Sequence, residues 1–507
     1  MPTSINILQE WSAFGDLRTL IVDGYADPHC KLNPISMHLH GVDTGAWRAA
    51  ATRVDAWLSN GDGHLLDQFT AEGYLSPAGG AMLTGSADLA LMAGVMALRL
   101  VEAQDTSDLA FCGEVAGHEF HPLSRPLAMG KAAKDAGLTL VCPVDSAPQA
   151  KLSGARVIGV ASRDDLLNVV LGHRKYMSQS AELIAARNGG IDLRHVKGQA
   201  KARRALEIAV AGAHNLLFIG PPGEGKTLLC KTIPTIAPSL TIDQTLETTV
   251  IHQSAGLVDP GELVTMPPLR MISPGISVAG LIGGGHLEPH AGEVSLAHNG
   301  VLFCDELLQF SPGKVESLRG PLQDGEVTVS RTNWQVRFPS RFQLAAAANP
   351  CRCGMWTPTD QSRCRCTPAQ RRSYADRLSG PVADRIDIKL WVDPVGDERF
   401  EQSSEPEPSA AVAERVQHAR EIQAARYQEV DINTNGELGP STVGLVKMST
   451  PVLNAVREVV GRDRLSTRGM NNLVRVAQTI ADLGAVAIET AHVYEAADYL
   501  QAPLPVA

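Results

Sequence analysis

Short runs of apolar residues alternate with segments of helical periodicity in the middle of this chain. The clearest runs, residues 215–219, 300–304 and 341–348, have the length of buried strands. Strands that alternate with helices usually form a parallel sheet with helices on both faces. The pattern therefore predicts an α/β domain over residues 191–393.

The two ends of the chain have different patterns. Residues 1–172 mix short apolar runs with Gly and Pro, and the polar segment 173–190 that follows is typical of a linker. Residues 401–408 are acidic and rich in proline. Helical periodicity then covers 410–429, 451–460, 470–483 and 491–500. We expect an N-terminal domain over 1–172 and a helical domain over 394–507.

Length and composition agree with several globular domains. A chain of 507 residues is too long for one hydrophobic core, and its 44% apolar and 20% charged residues exclude a mainly disordered protein. The formal net charge of −10 means that nucleic acid would need a local basic surface. Residues 331–389 contain eleven Lys or Arg against four Asp. Because a solvated basic face would have the same composition, this segment permits DNA binding without requiring it.

The chain carries no pattern typical of a membrane span. The longest apolar stretch, 81–101, is interrupted by Asp88 and Arg99, whereas a span needs about 20 apolar residues. We predict a buried helix there. The first eleven residues lack the basic and apolar blocks of an export signal. Together with the odd number of cysteines, nine, this favours a reducing, cytoplasmic environment without a membrane partner.

A phosphate-binding motif follows the apolar run that ends at Ile219. It satisfies the pattern G-x-x-x-x-G-K-[ST] in full, with the residues Gly220, Pro221, Pro222, Gly223, Glu224, Gly225, Lys226 and Thr227. In such loops the glycines let backbone N–H groups turn toward phosphate oxygens, and the following helix adds partial positive charge. We expect Lys226 to contact the β- and γ-phosphates of ATP and Thr227 to bind Mg²⁺.

An acidic pair supplies the second half of a nucleotide site. Asp305 and Glu306 directly follow the run 300–304. Alone, such a pair is more often a solvated strand end. With a phosphate-binding loop about eighty residues earlier, it places Asp305 beside Mg²⁺ and Glu306 beside the attacking water.

Two further polar residues are candidates for a part in hydrolysis. Asn349 follows the run 341–348, where its amide could orient the water; the alternative is a turn-forming Asn before Pro350. Arg385 lies in the segment 384–387 and is a candidate arginine finger toward a neighbouring subunit's γ-phosphate. A surface salt bridge is the alternative for Arg385.

Four cysteines form two closely spaced pairs just after Asn349. They are Cys351, Cys353, Cys364 and Cys366. Four thiolates can bind Zn²⁺ tetrahedrally, although the spacing within each pair is tighter than in most zinc sites. The alternatives are a structural zinc clip and a set of reduced, partly buried thiols.

A β-hairpin is predicted just before the run 341–348. Residues 326–330 and 335–338 have strand composition, and the tip between them contains Arg331 and Trp334. In a channel, Arg331 could pair with a phosphate and Trp334 could stack on a base. A hairpin that only packs on its neighbour is an equal alternative.

These motifs together resemble the magnesium-chelatase-like AAA+ ATPases, and among them the ComM/YifB branch of bacterial proteins. The stretches that carry the likeness are Val196-Lys-Gly-Gln199, Gly292-Glu-Val-Ser-Leu-Ala-His298, Phe338-Pro-Ser-Arg-Phe342, Asn349-Pro-Cys-Arg-Cys-Gly354, Arg377-Leu-Ser-Gly-Pro381 and Leu465-Ser-Thr-Arg468. The resemblance implies an AAA+ core over 191–393, a helical lid over 394–507, and a homo-hexameric ring. It also implies that Arg468 is the sensor arginine that contacts nucleotide from the lid, with Arg475 as the second choice.

The resemblance extends loosely to the N-terminal region and implies a Lon-protease-like α+β domain there. Proteolysis would need a Ser–Lys dyad. Ser86 is near the expected serine position, but the lysine position falls at about Pro126 and Lys131 comes later. We therefore expect an inactive, scaffolding domain.

The resemblance also bears on function. Better-known members of the branch are DNA helicases that drive branch migration, and relatives in pigment synthesis insert magnesium into a porphyrin. Where family members carry paired histidines before the glycine run 283–285, this chain has 269–275, a segment expected to belong to an insert facing the ring's centre. We expect an ATP-driven motor that acts on DNA. A chelatase-type or protein-remodelling ATPase is the alternative.

Overall fold

The structure, a computed structural model, describes most of the chain. The described residues are 3–9, 16–26, 35–40, 49–50, 52–54, 69–76, 85–100, 103–116, 119–178, 184–185, 190–259, 261–285, 289–330, 335–378, 380–393, 406–430 and 432–500.

The strands of the described residues are numbered in chain order. They are β1 Thr3–Gln9, β2 Asp16–Ala26, β3 Ile35–His40, β4 Phe69–Ser76, β5 Leu109–Phe111, β6 Glu114–Ala116, β7 Glu119–His121, β8 Thr139–Pro143, β9 Arg156–Val160, β10 Ile184–Ala185, β11 Leu216–Ile219, β12 Glu262–Leu263, β13 Leu269–Ile272, β14 Gly283–Gly284, β15 His290–Ala291, β16 Val301–Cys304, β17 Glu326–Ser330, β18 Gln335–Pro339, β19 Gln343–Ala348 and β20 Ile388–Trp391.

The α-helices are numbered in the same way. They are α1 Asp88–Arg99, α2 Pro126–Asp135, α3 Ala147–Lys151, α4 Arg163–Val170, α5 Ala200–Gly212, α6 Lys226–Lys231, α7 Ile233–Ile236, α8 Ile242–Ser254, α9 Val278–Ile282, α10 Glu293–Leu296, α11 Pro312–Ser317, α12 Arg319–Asp324, α13 Pro368–Ala375, α14 Gly380–Ala383, α15 Ser409–Arg426, α16 Thr450–Asp463, α17 Thr467–Leu483 and α18 Thr490–Ala497.

A seven-stranded mixed sheet forms the N-terminal part, in the order β3-β4-β2-β1-β5-β8-β9. Strand β2 pairs antiparallel with both β1 and β4. On the other side of β1, strands β5, β8 and β9 follow in parallel. Helix α1 packs on this sheet, because its Leu89 and Met92 are buried in the same cluster as Ile5 and Ile7.

The predicted buried helix within residues 81–101 is α1. Its first residue, Asp88, is fully buried and accepts two hydrogen bonds from the guanidinium of Arg53, at 2.8 and 3.0 Å. Burial raises the pKa of Asp88, although the ion pair opposes that shift. Among the described residues, no helix combines the length and apolarity that crossing a membrane requires.

A five-stranded sheet forms the centre of the chain, in the order β13-β16-β19-β11-β20. Every neighbouring pair is parallel. Strands β11 and β16 are buried along their whole length, as expected when helices cover both faces of a sheet. The predicted α/β fold class, with a parallel sheet between helices, is confirmed.

The two edge strands of this sheet were not predicted from the sequence. Strand β13 lies within the segment that we assigned to an insert facing the ring's centre, yet it pairs with β16 from Leu269↔Val301 to Ile272↔Cys304. Met271 remains 45% exposed, so the apolar signal of this edge strand is weak. The expectation that residues 269–272 belong to an insert is therefore wrong, because they form a strand of the sheet.

The C-terminal helices pack against the first helix of the central region. Helix α17 contacts α5, α15, α16 and α18, and Val416, Val459 and Val476 are buried in one cluster with Leu206 of α5. The helical expectation for this end of the chain is confirmed, with ends that shift by a few residues. The lid and the sheet thus share a hydrophobic core.

The N-terminal part also contacts the central part. Leu246 and Val250 of α8 are buried in one cluster with Leu140 of β8 and Val157 of β9. The short strand β10, from the segment predicted as a linker, pairs in parallel with β12.

Candidate functional site

Three neighbouring strands of the central sheet end at the same edge. The register pairs Ile219 with Ala348 and Cys304 with Ala346. Because parallel strands bring their carboxyl ends together, the residues that follow them, Gly220, Asn349 and Asp305, lie at one edge of the sheet. Strand β19, which precedes Asn349, lies between the other two. The topology therefore brings the predicted motifs into one place.

The phosphate-binding loop runs from the end of β11 to the start of α6. Gly223 has φ +86° and Gly225 has φ +80°, and a Cβ on either would meet open space. These two positions need glycine for their backbone conformation. Gly220 needs glycine for space, because a Cβ there would lie 2.3 Å from the carbonyl oxygen of Val392, the residue that follows the adjacent strand β20.

Lys226 begins α6 and is 8% exposed. Its ammonium group donates to the carbonyl oxygens of Gly220 and Pro221, both at 2.6 Å. Burial lowers the pKa of Lys226 to about 8, against the opposing pull of nearby carboxylates such as Glu224. The ammonium group of Lys226 thus donates to the backbone of the phosphate-binding loop itself.

Thr227 and Asp305 meet beside this cation. The hydroxyl of Thr227 donates to Asp305 Oδ2 at 3.1 Å, and the backbone N–H of Glu306 donates to Asp305 Oδ1 at 3.0 Å. Glu306 has φ +54°, an uncommon conformation for a residue with a side chain. A hydroxyl and a carboxylate are ligands that suit Mg²⁺, so the residues present fit this ion.

Asn349 lies within reach of Lys226. Its Oδ1 is 3.5 Å from Lys226 Nζ, at the outer limit of a hydrogen bond. The side chain is only partly buried. The sequence-predicted residues Lys226, Thr227, Asp305, Glu306 and Asn349 therefore form one continuous polar site.

The two arginines with expected nucleotide roles share a surface. Arg385 donates to the carbonyl oxygen of Pro381 at 2.6 Å and to the side-chain oxygen of Gln323. Arg468 pairs with Asp384 at 3.4 Å. Partial burial lowers the pKa of Arg385, and the charges of Arg468 and Arg319 lower it further. The structure thus brings Arg385 and Arg468 close to each other, with Arg319 nearby.

Arg475, the second choice for the sensor, is bound inside the protein. Its guanidinium lies 2.7 Å from Asp387 Oδ1 and donates to the carbonyl oxygens of Gly436 and Leu438 at 2.8 and 3.0 Å. It also bonds to the side chain of Asn472. These contacts join the lid to the segment that carries Arg385.

Asp387 is the centre of a buried network that sequence reasoning missed. It is 4% exposed, accepts from the backbone N–H of Asn215 at 3.2 Å, and lies 3.6 Å from His214 Nδ1. Burial alone would raise the pKa of Asp387, but Arg475 and His214 outweigh it and lower the pKa. Asn215 also donates from its side chain to the carbonyl oxygen of Arg385 at 2.7 Å. The buried network therefore fixes the backbone of Arg385, the candidate arginine finger.

Two family models match this chain. The model described as magnesium chelatase, subunit ChlI, matches residues 192–400, and the model of the ChlI C-terminal region matches residues 406–500. The competence protein ComM of Haemophilus influenzae is 33% identical over 442 residues, 84% of this chain and 84% of ComM. YifB of Escherichia coli is 33% identical over 376 residues, 70% of this chain and 73% of YifB.

An uncharacterized protein of Mycobacterium tuberculosis is 35% identical over 459 residues, which is 88% of this chain and 89% of that protein. The chain belongs to the magnesium chelatase ChlI-like family. Its relatives YifB and ComM confirm the branch that the sequence motifs indicated. Family membership and the geometry around Lys226 are both consistent with an AAA+-type ATPase.

The cysteines of this ChlI-like protein converge just beyond Asn349. The Sγ atoms of Cys351 and Cys353 lie 3.4 Å apart, and Cys364 Sγ lies 3.8 Å from the first and 3.7 Å from the second. The four Sγ atoms, with that of Cys366, all lie within 4.8 Å of one another. A tetrahedral zinc site with Zn–S bonds of about 2.3 Å places its sulfur atoms roughly 3.8 Å apart. The residues therefore fit zinc.

The thiols of the cluster differ in their ease of ionisation. Burial raises the pKa of Cys351 to about 12. Burial also opposes ionisation of Cys353, but backbone N–H groups of Met355 and Arg365 outweigh it and lower its pKa to about 6. The guanidinium of Arg371 lies 4.0 Å from Cys364 Sγ. Positive charge and N–H donors beside sulfur favour thiolates, the form that binds metal.

The predicted hairpin is present in this family member as β17 and β18, paired antiparallel from Glu326↔Pro339 to Ser330↔Gln335. Its tip, with Arg331 and Trp334, lies outside the described residues. The expectation that these two side chains contact DNA therefore stays a prediction.

In the N-terminal part, Lys131 of α2 forms an ion pair with Asp135 at 3.0 Å, and Ser86 is buried. The expectation of an inactive Lon-protease-like domain also stays a prediction.

Proposed function

We propose that this protein is an AAA+ ring motor that binds and hydrolyses ATP. One observation carries the proposal: the cation of Lys226, the Thr227–Asp305 pair and Asn349 lie together at the ends of three adjacent parallel strands. Phosphate oxygens would replace the backbone carbonyls as partners of Lys226. The N–H groups of the loop and the start of α6 would add further donors.

Each residue of the site has a role in this proposal. Thr227 and Asp305 would hold Mg²⁺, which would supply positive charge to offset that of the phosphates. Glu306 follows Asp305 directly, so its carboxylate is available to orient and deprotonate the attacking water. Asn349 would hold the same water or the γ-phosphate through its amide. The left-handed turn at Glu306 sets the direction of its side chain.

Arg385 and Arg468 support a ring in which subunits share sites. They lie beside each other, and Arg319 adds a third positive charge to the same surface. Arg468 pairs with Asp384, and Arg319 pairs with Glu316. Arg385 donates only to the neutral oxygens of Pro381 and Gln323 in the bonds described above, so it is the arginine best placed for the γ-phosphate bound by an adjacent subunit. We propose a homo-hexamer on the basis of the family resemblance.

DNA is the substrate that we propose for this motor. The basic segment 331–389 includes the strand β18, on the hairpin whose tip carries Arg331 and Trp334. Lys and Arg there would pair with phosphates, whereas the net charge of −10 repels DNA from the rest of the surface. The named relative ComM is a competence protein. A reducing, cytoplasmic location suits such a motor and nine cysteines.

The test is the ATPase rate with and without forked, branched and linear DNA. We expect DNA to raise the rate, and we expect added salt to abolish the increase because phosphate contacts release counterions. Lys226→Ala should hydrolyse no ATP with or without DNA, and it therefore controls for contaminating ATPase activity. A rate that is the same with every DNA and at every salt concentration would reject the DNA proposal and leave the ATPase proposal intact.

A chelatase-type or protein-remodelling ATPase is the second candidate. Its support is that Leu269–Ile272, within the segment that replaces the paired histidines of relatives, forms an edge strand with Met271 exposed. An exposed sheet edge is suited to pairing with another protein. DNA-independent ATPase activity that rises with a protein partner would favour this candidate.

We also propose that Cys351, Cys353, Cys364 and Cys366 bind one structural Zn²⁺. The fit of the sulfur spacings to a tetrahedral site supports this. With four protein ligands, the ion would have no open position for catalysis. Elemental analysis of purified protein should find about one zinc per chain. Protein that contains no zinc and takes up none after reduction would contradict this proposal.

A further inference from the structure

The cysteine loop, residues 351–366, starts where strand β19 delivers Asn349 to the nucleotide site. Cys351 is buried and lies two positions after Asn349. The preceding residue of the strand, Ala348, accepts a hydrogen bond at 3.2 Å from the backbone N–H of Gly220, the first residue of the phosphate-binding loop. Cys351 is thus connected to Asn349 through two peptide links and to Gly220 through the backbone hydrogen bond of Ala348.

The cysteine loop also touches the phosphate-binding loop directly. Gly354, with φ +76°, donates its N–H to the carbonyl oxygen of Cys351 at 2.9 Å. A Cβ on Gly354 would lie 3.0 Å from Pro222 Cδ and 3.3 Å from Pro222 Cγ. The turn between Cys351 and Gly354 therefore packs its backbone against the ring of Pro222, with no room for a side chain between them.

The cysteine loop also contacts β20, the strand on the side of β11 opposite to β19. The ring of Trp356 meets the ring of Trp391 edge-on, with centroids 5.8 Å apart and an angle of 84°. Trp391 ends β20 and pairs with Ile219, the last residue before the phosphate-binding loop. The loop thus contacts both strands that flank β11.

Few contacts other than those of the thiols fix the shape of the cysteine loop. One comes from outside the loop, where Arg371 donates to the carbonyl oxygen of Cys366 at 3.1 Å. Residues 351–366 form no helix or strand. The side-chain bonds that the structure shows within the loop, apart from the thiols, join Thr357, Asp360 and Ser362. A metal ion that ties 351 and 353 to 364 and 366 would close the loop and remove most of its conformational freedom.

We propose that a Zn²⁺ ion bound by Cys351, Cys353, Cys364 and Cys366, called the zinc clip below, braces the phosphate-binding loop. Zinc occupancy then sets how tightly this protein binds ATP. The inference rests on both the proposed ATPase function and the proposed zinc site. With the clip closed, the Cys351–Gly354 turn supports Pro222, and Cys351 fixes Asn349. With the clip open, both supports loosen and the nucleotide site loses its preorganisation.

The first experiment measures the Kd of a fluorescent ATP analogue with Mg²⁺ in excess. Wild-type protein is compared as purified, after zinc removal by a zinc-selective chelator, and after addition of zinc alone. We expect zinc removal to raise Kd about tenfold, the scale expected when a site loses its positioning, and zinc to restore it. The Cys353→Ser/Cys364→Ser variant should behave like the zinc-free protein. Cys142→Ala, a buried thiol in β8, is the control that keeps the wild-type Kd.

A second variant tests the contact between the cysteine loop and Pro222 without removing zinc. Gly354→Ala should keep one zinc per chain but weaken ATP binding, because its Cβ pushes on Pro222. The matched control is Gly256→Ala, at φ +67° with open space around its Cβ, which imposes similar backbone strain elsewhere. Circular dichroism establishes that each variant is folded.

The possible outcomes distinguish three proposals: the brace, the zinc site and ATP binding. Raised Kd in zinc-free protein and in Gly354→Ala, but not in Gly256→Ala, supports the brace. An unchanged Kd after zinc removal, or in zinc-loaded Gly354→Ala, overturns it while zinc binding and ATPase function both stand. Wild-type protein that neither contains nor takes up zinc, yet binds ATP, overturns the zinc site and the brace together and leaves the ATPase proposal intact. Wild-type protein that does not bind ATP overturns the proposed function itself.

Discussion

The buried ion pair of Asp387 and Arg475 should contribute strongly to the contact between the C-terminal helices and the central part. Asp387 is 4% exposed, and its carboxylate is 2.7 Å from the guanidinium of Arg475, whose side chain is 15% exposed. Replacing Arg475 with Met keeps most of the volume but leaves a buried carboxylate without its main partner. Breaking such a pair from one side costs about 3–5 kcal/mol. We expect a loss of that size in the free energy of unfolding.

The assay is chemical denaturation of Arg475→Met, Asp387→Asn and the double variant. Because the double variant no longer buries an unpaired charge, it should be more stable than Arg475→Met. The pH dependence has a definite sign. The pKa of Asp387 is lowered in the fold, so its contribution is present above the usual carboxyl pKa and disappears as pH falls through the lowered value.

The same variants should affect hydrolysis, because Asn215 connects Asp387 to the backbone of Arg385. Folded Arg475→Met should bind ATP with the wild-type Kd and hydrolyse it more slowly. If Arg475→Met lowers the free energy of unfolding by less than about 1 kcal/mol and keeps the full rate of ATP hydrolysis, the ion pair does not connect the lid to Arg385.

Three further predictions concern the nucleotide site. Glu306→Gln should bind ATP normally and lose roughly 100-fold or more in turnover, and an unchanged rate would remove Glu306 from catalysis. Arg385→Ala should lose about 1,000-fold in turnover, yet mixing it with Lys226→Ala subunits should restore some activity; no recovery would count against shared sites. Because burial lowers the pKa of Lys226 to about 8, the Kd for ATP should rise above that pH by up to about tenfold per unit. A flat profile between pH 7 and 9.5 would show that Lys226 stays charged.

The nucleotide loop could be predicted from sequence because its determinants are local. Gly223 and Gly225 take backbone angles that favour glycine, and Lys226 follows them directly at the start of a helix. Strands β11 and β16, which end just before Gly220 and Asp305, are apolar at every position, which is the pattern of a central parallel strand. The same local information placed the four cysteines close together.

Edge strands and long-range pairs could not be predicted in the same way. Strands β13 and β20 each face partly outward, so their patterns are mixed. Asp387 and Arg475 are 88 positions apart, and their contact depends on how the lid packs on the sheet. The contact of Gly354 with Pro222 likewise exists only once β11 and β19 are paired. The domain boundaries and the catalytic roles of the site residues stay predictions.

The most direct test of the central claim is equilibrium binding and turnover of ATP by purified protein supplied with Mg²⁺. The account predicts saturable binding and steady release of phosphate, and it predicts that Lys226→Ala loses both while remaining folded. Wild-type protein that neither binds nor hydrolyses ATP, or a Lys226→Ala variant that does both as well as wild type, would contradict the account.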